Sequence, residues 1–164
     1  NTYRIVDVND DMVMVDNLRY RHDNDSSSNW TCYQNKIANC NNYGVLYTWT
    51  AAAGQPQVYL DSYLDLSNVV NQGACPDGWH EPSFEESKKL STNINWFEWG
   101  LDPDTTVGHY NFTTKKFGET AFWWSTGNSA MGGRGNQGHH FRQWQSDYVE
   151  KRSYAYLRCI KNRQ

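Results

Sequence analysis

Apolar residues along this chain arrive in short alternating runs, separated by polar segments rich in Asn, Asp, Ser and Gly. Residues 3–8 alternate like a half-buried strand, Asn9-Asp10-Asp11 supply a turn, and residues 12–15 return. That pattern predicts an N-terminal hairpin. The polar stretches 22–29 and 35–42 predict loops. Residues 46–53 predict a helix, since alanine is the best helix former and Leu46, Trp49 and Ala53 share one face. Gly54 and Pro56 end it. Leu60, Leu64 and the Val69-Val70 pair predict a further helix within 61–70. Ser83-Phe84-Glu85-Glu86, directly after Pro82, is a capping box in which hydroxyl and carboxylate satisfy orphan amides reciprocally, so a helix is predicted over 84–93. Short strands are predicted at 122–125, 141–144 and 154–160. In the last of these Ala155, Leu157 and Cys159 share one face, the inner one. The sum is an α+β domain with two main helices, small twisted antiparallel sheets and long loops. No internal repeat interrupts residues 1–164, which read as a single domain.

Composition sharpens that picture. The mean hydropathy is −0.87 and only 38% of the 164 residues are hydrophobic, values that alone suit a disordered chain. Eight Trp, eleven Tyr and six Phe argue the other way, because disordered chains are poor in large apolar rings. An aromatic core wrapped in polar loops fits both facts. A chain of this length buries roughly two-thirds of its unfolded surface. The net charge is −3, from 15 basic and 18 acidic residues, and no basic stripe exists. The electrostatic footprint of a nucleic-acid binder is therefore missing. No apolar run approaches the roughly 20 residues that cross a bilayer, so no direct membrane insertion is expected. The chain begins at Asn1 without Met, as expected of a mature secreted protein or an excised piece. Four cysteines permit three pairings, and no Cys-x-x-Cys favours zinc, so disulfides and an oxidising compartment are expected.

Candidate chemistry is sparse. His80-Glu81 lacks the one-turn spacing that sets two imidazoles on one metal, and His80 reads as a structural histidine near the helix start. His139 and His140 are adjacent, which in a strand sends them to opposite faces. Gly132-Gly133-Arg134-Gly135 lacks the Lys and Ser/Thr of a phosphate loop and reads as an adaptable surface loop. Asp102-Pro103-Asp104 offers oxygens that would suit a weak calcium site, but an ordinary turn is the favoured reading. No nucleophile–base–acid set emerges from local spacing. The expectation is a non-enzymatic protein without cofactor or resident metal. Trp79, Trp123 and Trp124 read as core. Trp30, Trp96, Phe97, Trp99, Trp144 and Tyr148 lie in polar surroundings or at segment ends, where rings stack on sugars or anchor protein interfaces.

Four blocks carry a resemblance. Met12-Val13-Met14-Val15-Asp16-Asn17-Leu18-Arg19-Tyr20 is followed by Cys32 to Cys40 and Tyr43-Gly44, then Gly78-Trp79-His80, then Trp123-Trp124-Ser125. Together they resemble the Fibrobacter succinogenes major paralogous (FISUMP) domain of bacterial surface and secreted proteins, a variant of the C-type-lectin-like fold. The chain departs from that pattern in an insertion between Ala53 and Ala74, a poorly matched block between Ser91 and Glu119, and a Gly-rich loop from Gly127 to Gly138. The resemblance implies bridges Cys32–Cys40 and Cys75–Cys159. It implies paired termini at one end of the domain and recognition at the other, on the long loops 95–119 and 127–138. Trp96, Trp99, Arg134, His139, Arg142 and Trp144 are then the candidate ligand-binding residues. The Glu-Pro-Asn and Trp-Asn-Asp motifs of calcium-dependent lectins are absent, and Glu81-Pro82-Ser83 is a chance echo at a helix start. The implied function is a secreted or cell-surface binding domain, of adhesin type, taking glycan or protein without calcium. A second implied role is an assembly module of a surface filament or phage fibre, with self-association. A third, enzymatic, role follows only from the similarity of the fold to formylglycine-generating enzymes, whose reactive cysteines would here be a structural bridge.

Overall fold

A computed structural model describes residues 1–21, 29–66, 68–93, 107–128, 137–142 and 145–163. The predicted hairpin is present as β1 (Ile5–Val8) and β2 (Asp11–Met14), paired antiparallel. Asn9 and Asp10 both adopt positive φ, 49° and 69°, the backbone a two-residue hairpin turn needs and short polar side chains tolerate. Next come β3 (Trp30–Thr31), a 3-10 turn at Tyr33–Asn35 and α1 (Ile37–Tyr43). The expected loop at 35–42 is thus mostly helix. Its few apolar residues hid it, because a disulfide at Cys40 holds it to the core in place of an apolar stripe. Gly44 ends α1 at φ 102°, and a Cβ there would lie 2.5 Å from Asn17 Cβ, so only glycine fits.

The predicted helix at 46–53 divides in two. Leu46–Tyr47 forms β4 against β3, and α2 covers only Trp49–Ala53. Thr48 causes the break: its extended backbone ends the strand while its Oγ1 accepts from Ala51 N at 3.4 Å. The helix expected at 61–70 is not formed among its described residues. A 3-10 turn at Gln57–Leu60 leads into irregular chain instead. Lys151, wholly buried, donates to Tyr59 O at 3.0 Å and Ser62 O at 2.9 Å and lies over the Trp49 ring at 4.2 Å. Those carbonyls point to a cation rather than to a helical amide. After β5 (Trp79–His80), α3 spans Phe84–Asn93 as predicted. Both bonds of the capping box are present: Ser83 Oγ accepts from Glu86 N at 3.2 Å, and Glu86 Oε2 from Ser83 N at 2.8 Å.

The second half is β-rich. It contains β6 (Val107–Asn111), β7 (Lys116–Thr120), β8 (Trp123–Asn128), β9 (Gln137–Arg142), β10 (Gln145–Glu150) and β11 (Ile160–Lys161). The expected long loop 95–119 therefore ends in a hairpin, β6–β7, turned by Asn111 Oδ1 accepting from Thr114 N at 2.9 Å. Edge-to-face contacts among Tyr33, Tyr110, Phe117 and Tyr154 seat that hairpin on the domain. The strand expected at 141–144 lies earlier, as β9, and that at 154–160 reduces to single bridges at Tyr154, Ala155 and Tyr156 followed by β11.

The described strands form four small antiparallel sheets, ordered β1-β2-β11-β5, β10-β9-β8, β3-β4 and β6-β7. Their central stretches are buried on both faces. Met14, Tyr47, Trp124, Ala155, Leu157 and Cys159 enter one apolar cluster. Their neighbours Val13, Val15, Leu46, Trp123, Tyr156 and Ile160 enter a second cluster on the other side. The face expected to be inner at 154–160 is thus one of two inner faces. Both bridges have the expected partners, Cys32–Cys40 and Cys75–Cys159, and no cysteine is free. Two such bridges suit an oxidising environment.

Candidate functional site

Trp96, Trp99, Arg134 and Trp144 lie outside the described residues, as do Phe97, Asp102 and Asp104. His139 and Arg142 belong to β9, whose register sets their backbones opposite Tyr148 and Gln145 of β10. Trp123 and Trp124 are core, as expected, and Trp79 packs against the first cluster. Trp30, expected to be a candidate contact residue, also packs there.

Among the described residues, a polar constellation lies where β5 runs into α3. A cleft of about 650 Å³ opens there, lined by Asp11, His80, Glu81, Glu86, Lys161 and Arg163 among others. Strand pairing places these residues together. β11 sits between β2 and β5, with Ile160 opposite both Val13 and His80, so the chain end and the β2 start meet the first turn of α3. His80 is saturated: Nε2 lies 3.1 Å from Glu86 Oε1 and Nδ1 lies 2.7 Å from Asn162 Oδ1. Burial lowers the imidazole's proton affinity, but the bonds to Glu86 and Asn162 outweigh it and raise the pKa. Burial would raise Glu86 in turn, yet His80 and both Ser83 bonds hold its carboxylate near a pKa of about 2. Asp11 is 5% exposed and accepts from Arg163 Nη2 at 2.7 Å and Lys89 Nζ at 3.1 Å, which offset its burial and lower its pKa.

Glu81 was legible in sequence only as an echo of a lectin motif. It is 1% exposed, and Asn71 Nδ2 donates to its Oε2 at 3.0 Å. Its Oε1 is buried without a hydrogen-bond partner. Burial raises its pKa to about 8, so the carboxyl is protonated at neutral pH. The Asp11–Arg163 and His80–Asn162 pairs had no local signal, since their partners are 152 and 82 residues apart.

The polar groups of the cleft are largely engaged with one another. Both His80 nitrogens are engaged, Glu86 caps a helix, and Glu81 is sealed from solvent. Lys161 stays exposed at the rim, beside Val69 and Val70. Among the described residues no three His, Cys, Asp or Glu side chains converge on a metal position. Comparison with protein-family models, curated proteins and solved structures finds no match.

Proposed function

We propose that the chain is a secreted or cell-surface binding domain of FISUMP type with a C-type-lectin-like fold, recognising glycan or protein without calcium and without catalysis. The observation that carries this reading is the closure of the chain on itself. Strand β11 inserts between β2 and β5, and Cys159 is bridged to Cys75, so both ends of the domain are locked into one frame. A frame braced covalently and buried on both faces supports variable loops, where recognition residues concentrate. Trp96, Trp99, Arg134, His139, Arg142 and Trp144 remain the proposed contact residues, with rings for stacking and cations for carboxylates or carbonyls. Two disulfides support export, and no described helix is long and apolar enough to cross a membrane. The engaged state of His80 and Glu86 supports a non-catalytic role.

A second reading, an assembly module of a filament or fibre, is favoured by the insertion after α2. There Val58 is 67% and Val70 72% exposed, and Tyr63 and Val69 are also exposed. Contiguous apolar surface marks contact sites, and these four residues supply apolar area within one insertion.

The test is a glycan array paired with pull-down from the native environment, both repeated with chelator. Saturable capture that survives chelation supports the first reading. Concentration-dependent self-association without capture supports the second.

A further inference from the structure

A second hollow lies well away in sequence from the loops proposed for recognition. It has a volume of about 530 Å³ and is lined by Tyr3, Leu18, Tyr20, Gln72, Gly73 and Asp77 among others. That volume is in the range of small-molecule sites. Its parts are fixed by bonds that serve the fold. The Tyr3 hydroxyl accepts from Arg19 N at 3.1 Å, and its ring lies 5.3 Å from the Arg19 guanidinium carbon. The Tyr20 carbonyl accepts from the hydroxyl of Tyr47, which is fully buried. The opposite wall is the turn before Cys75, where Cys75 N donates to Gln72 O at 3.1 Å and the disulfide to Cys159 begins. Gly73 adopts φ +57°, and a Cβ there would lie 2.2 Å from Ala52 O, so this wall is pressed against the end of α2.

The polar groups of that wall are one-sided. Gln72 Nε2 donates to Cys75 O and to Asp77 Oδ1, both at 3.1 Å, which uses both amide hydrogens. What Gln72 and Asp77 keep for a ligand is acceptor oxygen: the amide Oε1 and the second carboxylate oxygen. A ligand suited to them brings several donors close together. Tyr20, 47% exposed, offers apolar ring area beside those acceptors. A metal ion would satisfy the acceptors but leave the apolar ring face unused. A neutral ring with vicinal hydroxyls and an apolar C–H face uses both the acceptors and the ring.

We infer that the hollow between Tyr20 and the Gln72–Asp77 pair is a binding subsite for a neutral hexopyranose. This rests on the reading of the chain as a binding domain and adds a second contact region to it. Hydrogen bonds hold the Gln72 side chain and the Tyr20 carbonyl in place before ligand arrives, which lowers the ordering cost of binding.

The experiment is an amide chemical-shift titration of the intact chain with methyl hexopyranosides of the gluco, galacto and manno series, and with choline. At least one glycoside is expected to shift the amides of Tyr20, Gly73 and Asp77 saturably. Tyr20→Ala and Asp77→Asn should each weaken it about tenfold, as expected when a stacking ring or a paired acceptor is lost. Both residues are surface groups, so the melting temperature should hold; if Tyr20→Ala loses the native spectrum, Asp77→Asn decides alone. Absence of shifts with every glycoside, or shifts with choline only, overturns the inference. If those negative results accompany intact capture on the glycan array, only the subsite fails; if capture is absent too, the binding reading fails with it.

Discussion

Trp123 donates its indole N–H to Oδ1 of Asn17 at 2.7 Å, joining β8 to the residues after β2 across 106 positions of sequence. The same oxygen accepts from Arg158 Nε at 2.8 Å, and Asn17 Nδ2 donates to Tyr43 O at 2.6 Å. The Arg158 guanidinium lies 4.6 Å from the Trp123 ring centroid and is buried, which lowers its pKa to about 9. One amide thus ties three distant segments together. Asn17→Ala removes three hydrogen bonds, two of them to the buried side chains of Trp123 and Arg158, and should cost about 3 kcal/mol. Asn17→Asp keeps the acceptor and gives Arg158 a counter-charge while losing only the donor to Tyr43. Denaturant unfolding should therefore rank Asn17→Asp above Asn17→Ala in stability; the reverse order would remove Arg158 from the network.

The two bridges should differ in worth. Cys75–Cys159 closes a separation of 84 residues and Cys32–Cys40 one of 8. Loop-closure entropy assigns them about 4–5 and about 2–3 kcal/mol respectively. The Cys75→Ser/Cys159→Ser double variant should thus melt well below Cys32→Ser/Cys40→Ser. Peptide mapping without reduction should yield these two linked pairs, and a Cys32–Cys75 fragment would contradict the arrangement.

Glu81 gives the domain a pH dependence of unusual sign for a carboxylate. Its folded pKa is raised to about 8 from the ordinary 4.5, so the folded state keeps a proton that the unfolded chain releases. Stability should fall as pH climbs between those values, by up to about 1.4 kcal/mol per unit. Asn71 bonds this carboxyl, and Asp11, His80, Glu86, Lys161 and Arg163 line the same cleft. Glu81→Gln preserves the shape and removes the titration. Melting curves from pH 5 to 9 should show a smaller decline for the variant than for the native chain. Parallel declines would mean that Glu81 titrates normally.

Ser83→Ala removes half of the capping box and should cost about 1 kcal/mol, with helix α3 the element affected. Hydrogen exchange of the amides at 85–87 reads this out. A loss spread evenly over the domain would place the effect elsewhere.

Much of the fold was legible in the sequence where a signal is local. The Asn9-Asp10 turn, the Ser83–Glu86 box and the short strand at 122–125 each depend on signals within a few residues, and each element formed close to where it was expected. Reading failed where a distant partner decides. The alanine-rich segment 50–53 is helical, but Leu46–Tyr47 is drawn into a strand by Trp30–Thr31. The leucines of 60–66 look helical, but Lys151 claims the carbonyls a helix would use. The cleft around His80 was visible only as a single structural histidine. Its other members come from β2, β11 and the chain end, which pairing alone brings together. Expected contact residues Trp96, Trp99, Arg134 and Trp144 fall outside the described residues, so their role rests on the proposed function.

Capture by the intact chain, measured alongside alanine variants of Trp96, Trp99, Arg134 and Trp144, tests the central claim most directly. A chelator-resistant glycan or protein ligand should be retained by the native chain, with each variant weakening capture at least about tenfold at unchanged melting temperature, as for contact residues clustered in one interface. Variants that unfold the domain, or that capture as well as the native chain, would contradict it.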